Sequence, residues 1–309
     1  MYSRRRTLTQ SSIYKVQPNA DIERIELELT SACNLKCPLC VRAITNVPDE
    51  NNYRSLEEII AQLDSYPNLK FITIAGPISE PTTYPKLLEL IAYINKRDIE
   101  ISLYINGDTR NDLYYKKLGT LFRNKTGHVY FTICGSTQEL HGTYRVNSKL
   151  DRVLSRLEIV DKFSGGKGVL TWIVFNYNEQ DFIENYPKFS ERYNTEYFHT
   201  LPITEHHQLK SKIHLPDRLK ALYEREIDRK DFNNIVCPAN ASNYIQIRHD
   251  GKIDPCSLYR QFGEEHCWEC SKKNLTTLRT NKIFQCAEPE TETSSRSVLL
   301  YYERHYEKE

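Results

Sequence analysis

Ile25-Glu26-Leu27-Glu28-Leu29-Thr30-Ser31-Ala32-Cys33-Asn34-Leu35-Lys36-Cys37-Pro38-Leu39-Cys40 is the stretch whose reading decides the fold. Ile25, Leu27 and Leu29 alternate with polar residues, the period of a strand with one buried face, and a CxxxCxxC run follows at once. Three thiolates this close are soft ligands able to share one metal centre. A tetrahedral zinc or a four-iron cubane each calls for a fourth ligand, and the nearest remaining cysteine, Cys134, is far along the chain. A cubane held here keeps one iron without a protein ligand. Such an iron can take an amino and a carboxylate group from a small molecule and pass it an electron.

The bulk properties bound what surrounds this stretch. The 309 residues are enough for one large domain with a substantial core and a small appendage. Lys and Arg (42) balance Asp and Glu (41), so net charge gives no support to a nucleic-acid partner, though it does not rule one out. There is no run of about 18 apolar residues and no apolar signal core, which predicts a soluble cytoplasmic protein with no membrane partner. Nine cysteines, clustered and odd in number, favour metal ligation in a reducing compartment over a disulfide framework.

Outward from the cysteines, strand-like and helix-like patterns alternate. Ser55 and Glu58 form a capping box at the start of a helix over 55–66. Strands are predicted at Phe71–Ala75, Ile99–Ile105, Val129–Cys134, Val169–Phe175 and near Tyr197–Ile203. Helices lie between them, one carrying Leu87, Leu88, Ile91 and Ile94 and one over 148–163 opened by a Ser148–Asp151 cap. Six strand-then-helix units imply a parallel sheet, because parallel neighbours need a crossover. The expected fold class is α/β, a partial (β/α)6 TIM-like barrel over 21–230. It is preceded by a flexible arm over 1–20 that contains Arg4-Arg5-Arg6. A small cysteine-rich β-hairpin extension over 231–287 and a polar tail over 288–309 follow. In such barrels the functional groups sit on loops at the carboxyl ends of the strands.

At Cys33, Cys37 and Cys40 the sequence resembles the radical SAM superfamily, whose signature is this loop after the first strand of a partial barrel. The resemblance implies a 4Fe-4S cluster on these three cysteines, with S-adenosyl-L-methionine (SAM) on the open iron. Leu39 stands where the family usually has an aromatic residue against adenine. Gly76 to Pro81 is similar to the glycine-rich segment that hydrogen-bonds the SAM amino group, with Glu80 as a site residue. Asn106-Gly107 matches the family's Asn-Gly after strand three, although the pair also makes a common tight turn. Ser136 and then His141 to Arg145 resemble the segment whose arginine pairs with the SAM carboxylate, a task suited to a planar bidentate donor. Asn176 is placed to touch SAM after strand five. Cys134, on an apolar strand, reads as a buried inert thiol.

Past residue 231 the composition changes. Tyr244 to Arg248 alternates like a strand, and His249-Asp250-Gly251-Lys252 turns it into a hairpin. Cys237 and Cys256 flank that hairpin, and Cys267-Trp268-Glu269-Cys270 follows, four soft ligands for a closed zinc or iron–sulfur site. Their spacing looks like the opening of the SPASM and twitch extensions. That resemblance implies a second, auxiliary 4Fe-4S cluster on Cys237, Cys256, Cys267 and Cys270, with Cys286 as a substitute ligand or a free thiol.

The function implied is reductive cleavage of SAM to a 5'-deoxyadenosyl radical that takes hydrogen from a substrate, a small metabolite or a peptide. An external donor of the flavodoxin or ferredoxin type supplies the electron. Two alternatives stand beside it: radical modification of a nucleoside or nucleic acid, and a non-enzymatic zinc-binding protein.

Overall fold

The structure, a computed structural model, describes residues 21–44, 51–76, 78–199 and 244–254. The arm over 1–20, the tail over 288–309 and all five cysteines from Cys237 onward lie outside the described residues. Six strands follow one another: β1 (Arg24–Leu27), β2 (Phe71–Ile74), β3 (Glu100–Ile105), β4 (Gly127–Ile133), β5 (Gly168–Val174) and β6 (Thr195–His199). One helical turn, α1 (Val41–Ile44), follows the cysteine run. The crossovers are α2 (Leu56–Asp64), α3 (Leu87–Lys96), α4 (Asp112–Phe122), the pair α5 (Gln138–Tyr144) and α6 (Leu150–Ser164), and α7 (Glu179–Arg192). β7 (Tyr244–Ile247) and β8 (Ile253–Asp254) complete a single sheet in the order β6-β5-β4-β3-β2-β1-β7-β8. Among the described residues no helix is long and apolar enough to cross a membrane.

The sheet has seven parallel strands, one more than the sequence series predicts. β7 pairs parallel with β1, Arg24 beside Tyr244 and Leu27 beside Ile247, while β8 pairs antiparallel with β7. The local alternation of Tyr244 to Ile247 reveals a strand, but which neighbour takes its second edge is a long-range matter.

Each strand has one apolar face, and that face meets the helices. Ile25, Leu27, Ile72, Ile74, Ile101 and Leu103 are buried together with Ile59 and Leu63 of α2 and Leu87, Leu90, Ile91 and Ile94 of α3. Trp172 of β5 meets the rings of Phe182 and Phe189 of α7 edge-on at 5.7 and 5.3 Å. Burying side chains of this size stabilises by about 1.5–3 kcal/mol each, which makes this layer the main source of stability. Gly119 lets α4 approach α6 closely, since a Cβ there would stand 2.8 Å from the Val160 carbonyl oxygen.

The helix starts follow the sequence in one case and depart from it in another. Ser55 Oγ accepts from the Glu58 amide at 3.2 Å, and the Glu58 carboxylate accepts from the Ser55 amide at 2.9 Å, closing the capping box. The Ser148–Asp151 cap does not form. Lys149 is the N-cap of α6 without a side-chain bond, and Ser148 Oγ is instead paired with His141 Nε2 at 2.9 Å. A buried imidazole needs a partner more than an exposed helix end does.

Candidate functional site

The cysteine run leaves β1 at the carboxyl end of the sheet, and three neighbouring loops hold it. Glu80 donates its amide to the Ala32 carbonyl at 2.8 Å, and Thr83 Oγ1 reaches the same oxygen at 3.3 Å, so the loop after β2 clamps the start of the run. Arg42, in α1 and buried, bridges the carbonyls of Ser31 and, at 3.2 Å, Ile78. Asn106, after β3, donates through Nδ2 to Asn34 Oδ1 at 2.7 Å, inside the run itself. Lys36 donates its amide to the Val146 carbonyl at 3.2 Å, beside Arg145. The loops after β2 and β3 and the turn after α5 thus meet at the cysteine run.

The thiols are half-buried. The Leu35 amide points at Cys33 Sγ at 3.4 Å. Burial, and then the carboxylate of Glu80, push the Cys33 thiol up to about 11, and burial pushes Cys37 up to about 12. Arg145 opposes both shifts, while Cys40 adds to both. Thiols that keep their protons at neutral pH release them on binding iron, so the donor set suits a cationic cluster. Among the described residues no three His, Cys, Asp or Glu side chains gather as ligands of a single metal ion. A cubane asks for something else, one thiolate for each of three irons at separate corners, and that is the ligand number and type that Cys33, Cys37 and Cys40 supply.

Arg145 is the C-cap of α5, its amide bonded to the His141 carbonyl at 2.9 Å. Its Nε is buried without a hydrogen-bond partner, although the guanidinium also meets the Cys134 thiol. An unsatisfied charged donor beside three thiols is a ready partner for a carboxylate. Its support comes from His141, fully buried, whose Nδ1 accepts from the Cys134 amide at 3.4 Å. Burial, reinforced by Arg145, lowers that imidazole to about 3, so it is neutral. Cys134 is fully buried with its thiol pushed up to about 11 by burial, which fits an inert packing role. Leu39 and Cys37 pack on the apolar group of Cys134, Tyr144 and Phe175.

The remaining expected site residues hold the loops. The Glu80 carboxylate is buried, raised in pKa by that burial, and accepts from Thr82 N at 3.2 Å, Thr82 Oγ1 at 2.5 Å and Asn106 N at 2.8 Å. Ser136 donates amide and hydroxyl to Asp181 at the start of α7. Gly76 leaves room that a Cβ would take from Ser79 Oγ, at 2.0 Å. Asn176 opens a short 3-10 turn and is half-buried. Three residues that sequence reading missed are as important. Arg42 and Asn34 tie the run to other loops. Asn178 is fully buried, donating to the Cys134 and Ile173 carbonyls at 2.9 Å each and accepting from the Phe175 amide at 2.7 Å. Asn34 carries the one sequence signal, a polar residue between two ligand-type cysteines.

Comparison with known proteins places this geometry. Over 98 residues, the chain is 32% identical to the tungsten-containing aldehyde ferredoxin oxidoreductase cofactor-modifying protein of Pyrococcus furiosus. The match takes in 31% of this chain and only 27% of that relative's length. The fold is similar to Streptococcus suis SuiB bound to its precursor peptide SuiA, with a TM-score of 0.58 and 14% identity over 90% of this chain and 70% of that one. It is also similar to anSMEcpe with bound AdoMet, with a TM-score of 0.54 and 17% identity over 92% of this chain and 88% of that one. The family model described as Radical SAM superfamily matches residues 27–186, from the end of β1 into α7 and so across the whole loop assembly around Cys33, Cys37 and Cys40. The chain belongs to the radical SAM superfamily.

Proposed function

We propose that this chain cleaves SAM reductively and uses the resulting 5'-deoxyadenosyl radical to take hydrogen from a small metabolite or a peptide. The observation that carries the reading is Arg145, a buried guanidinium with an unsatisfied Nε, held beside the thiols of Cys33 and Cys37. When bound, a 4Fe-4S cluster supplies the electron that breaks the SAM sulfonium bond. Cys33, Cys37 and Cys40 hold that cluster as thiolates. Arg145 takes the SAM carboxylate, Gly76 opens its loop to the amino group, and Asn176 reaches SAM from the end of β5. Leu39 covers the adenine side. Glu80, Asn106 and Ser136 fix the loops that carry these contacts.

Four thiols downstream, Cys237, Cys256, Cys267 and Cys270, are the proposed ligands of an auxiliary 4Fe-4S cluster in a SPASM/twitch-like extension over 231–287. A flavodoxin- or ferredoxin-type protein in the cytoplasm is the proposed electron donor. SuiB is recorded with a precursor peptide, which supports a peptide as one substrate class. The curated relative modifies a cofactor by its name, which supports a small molecule as the other.

The test is iron and sulfide per chain after anaerobic reconstitution, with 5'-deoxyadenosine assayed on adding SAM and dithionite. About eight irons with cleavage are expected. Cys37→Ala should abolish cleavage and remove about four irons while far-UV circular dichroism stays that of the parent. Zinc alone with no cleavage would overturn the reading.

A further inference from the structure

The inner face of the sheet, opposite the helices, carries polar chemistry that the SAM site leaves unused. Thr171 and Glu196 stand side by side there, paired across β5 and β6, and Thr132 flanks Thr171 on β4. Thr171 is fully buried, and its Oγ1 has no hydrogen-bond partner. Its neighbours Leu170 and Trp172 face the helices, so its own side chain points into the barrel. The Glu196 carboxylate has no hydrogen-bond or ion-pair partner among the described residues, and burial alone raises its pKa.

Two aromatic rings lie on this face of the sheet, and a second orphaned group lies far along it, on β7. Tyr104 and Tyr130 stack at 4.3 Å and 6°, and Glu196 acts on both hydroxyls. On the other side, Gln246 of β7 is fully buried. Its Nε2 donates to Glu26 at 3.3 Å, which turns Oε1 away, and that oxygen has no partner. Buried polar atoms without partners are rare and call for an explanation. Here Glu196 and the Gln246 carbonyl are acceptors only, and the Thr171 hydroxyl can accept. Arg24, at the amino end of β1, lies over the Phe71 ring at 4.3 Å.

We infer that the barrel interior is a receptacle for a cationic group, an ammonium or guanidinium, seated against Glu196 and Thr171 beside the Tyr104–Tyr130 stack. The inference deepens the reading above, since it takes the barrel interior as the substrate chamber of the radical enzyme. A donor-rich cation is the ligand type that satisfies a carboxylate and its neighbouring hydroxyl together, and the tyrosine faces favour it further. The cation would anchor one end of the substrate below the strand ends, leaving the other end near SAM.

Binding is measured by calorimetry on the reconstituted full chain with SAM. The probes are acetyl-Gly-Lys-Gly-amide against its norleucine counterpart, and pentylamine against pentanol. Each amine should bind at least tenfold tighter than its neutral partner, and Glu196→Gln should erase that preference while the thermal midpoint and uncoupled SAM cleavage stay those of the parent. Thr171→Val should reduce the preference severalfold. Tighter capture of the lysine peptide than of pentylamine would assign the cation to a side chain of a larger substrate; the reverse would assign it to a free small amine. Equal affinity for charged and neutral probes, or a preference that survives Glu196→Gln, would overturn the inference. Loss of SAM cleavage in the parent chain with the amine preference intact would instead overturn the proposed function alone.

Discussion

On β3, Leu103 is fully buried among the aliphatic side chains of the helix layer, while Ser102 and Tyr104, one residue to either side, face the barrel interior half-exposed. The same contrast runs along β1, where Ile25 and Leu27 are buried and Glu26 is held by Tyr244 Oη at 2.6 Å. One backbone therefore serves two solvents. The helix-facing side supplies the burial that makes the sheet stable, and the inner side carries hydroxyls, amides and carboxylates. That division leaves the inner face free to be set by what it binds.

The largest effect should come from trading across the two faces on one strand. Leu103→Ala should destabilise the chain by about 2–5 kcal/mol, the range for a fully buried leucine. Ser102→Ala should stay within about 1 kcal/mol. Urea unfolding of both variants checks the contrast. Equal losses would mean that the inner face is as much a core as the outer one.

Next comes the place where the two faces meet, at the carboxyl ends of β4 and β5. Asn178 fastens them with three hydrogen bonds, and Asn178→Ala should cost about 1–3 kcal/mol by leaving buried backbone groups unpaired. Hydrogen exchange at the Phe175 amide should quicken in that variant. An unchanged exchange rate would show that the strand ends are held by the Phe175–Tyr177 stacking instead.

The parts of this arrangement that were legible in sequence are the local ones. Alternation in Phe71–Ile74 and Glu100–Ile105 reveals strands, Ser55 and Glu58 announce a helix start, and CxxxCxxC with its following loops marks the site. What was not legible depends on partners distant in sequence. Ser148 looks like a cap until His141 folds against it, and Arg42 is an ordinary arginine until Ser31 and Ile78 turn their carbonyls toward it. The seventh parallel strand is the same case, since nothing near Tyr244 names Arg24 as its neighbour.

His141 tests how the buried side tolerates charge. Its folded pKa, lowered to about 3, lies below the ordinary value of 6.5, so the unfolded chain takes up the proton first as pH falls. The stability contributed by the neutral ring is therefore complete above about 6.5 and is lost between there and about 3. The slope from this one group is at most about 1.4 kcal/mol per pH unit. His141→Gln should flatten the unfolding free energy between pH 6 and 4 relative to the parent. An unchanged slope would mean that the imidazole reaches water.

The smallest effect should have the opposite sign. Thr171 keeps a hydroxyl buried without a partner, so Thr171→Val exchanges an unsatisfied polar atom for a methyl group of the same shape. Stability should rise by up to about 1 kcal/mol, or about 2–4 °C in Tm for a domain of this size. The same substitution should weaken the amine preference, because a group placed for a ligand is a burden on the empty fold. Scanning calorimetry of the SAM-free chain reads the first part, and the amine titration reads the second. A variant less stable than the parent would show that the hydroxyl already has a partner in solution. The inner face at β5 would then belong with the structural side of the sheet rather than with the substrate.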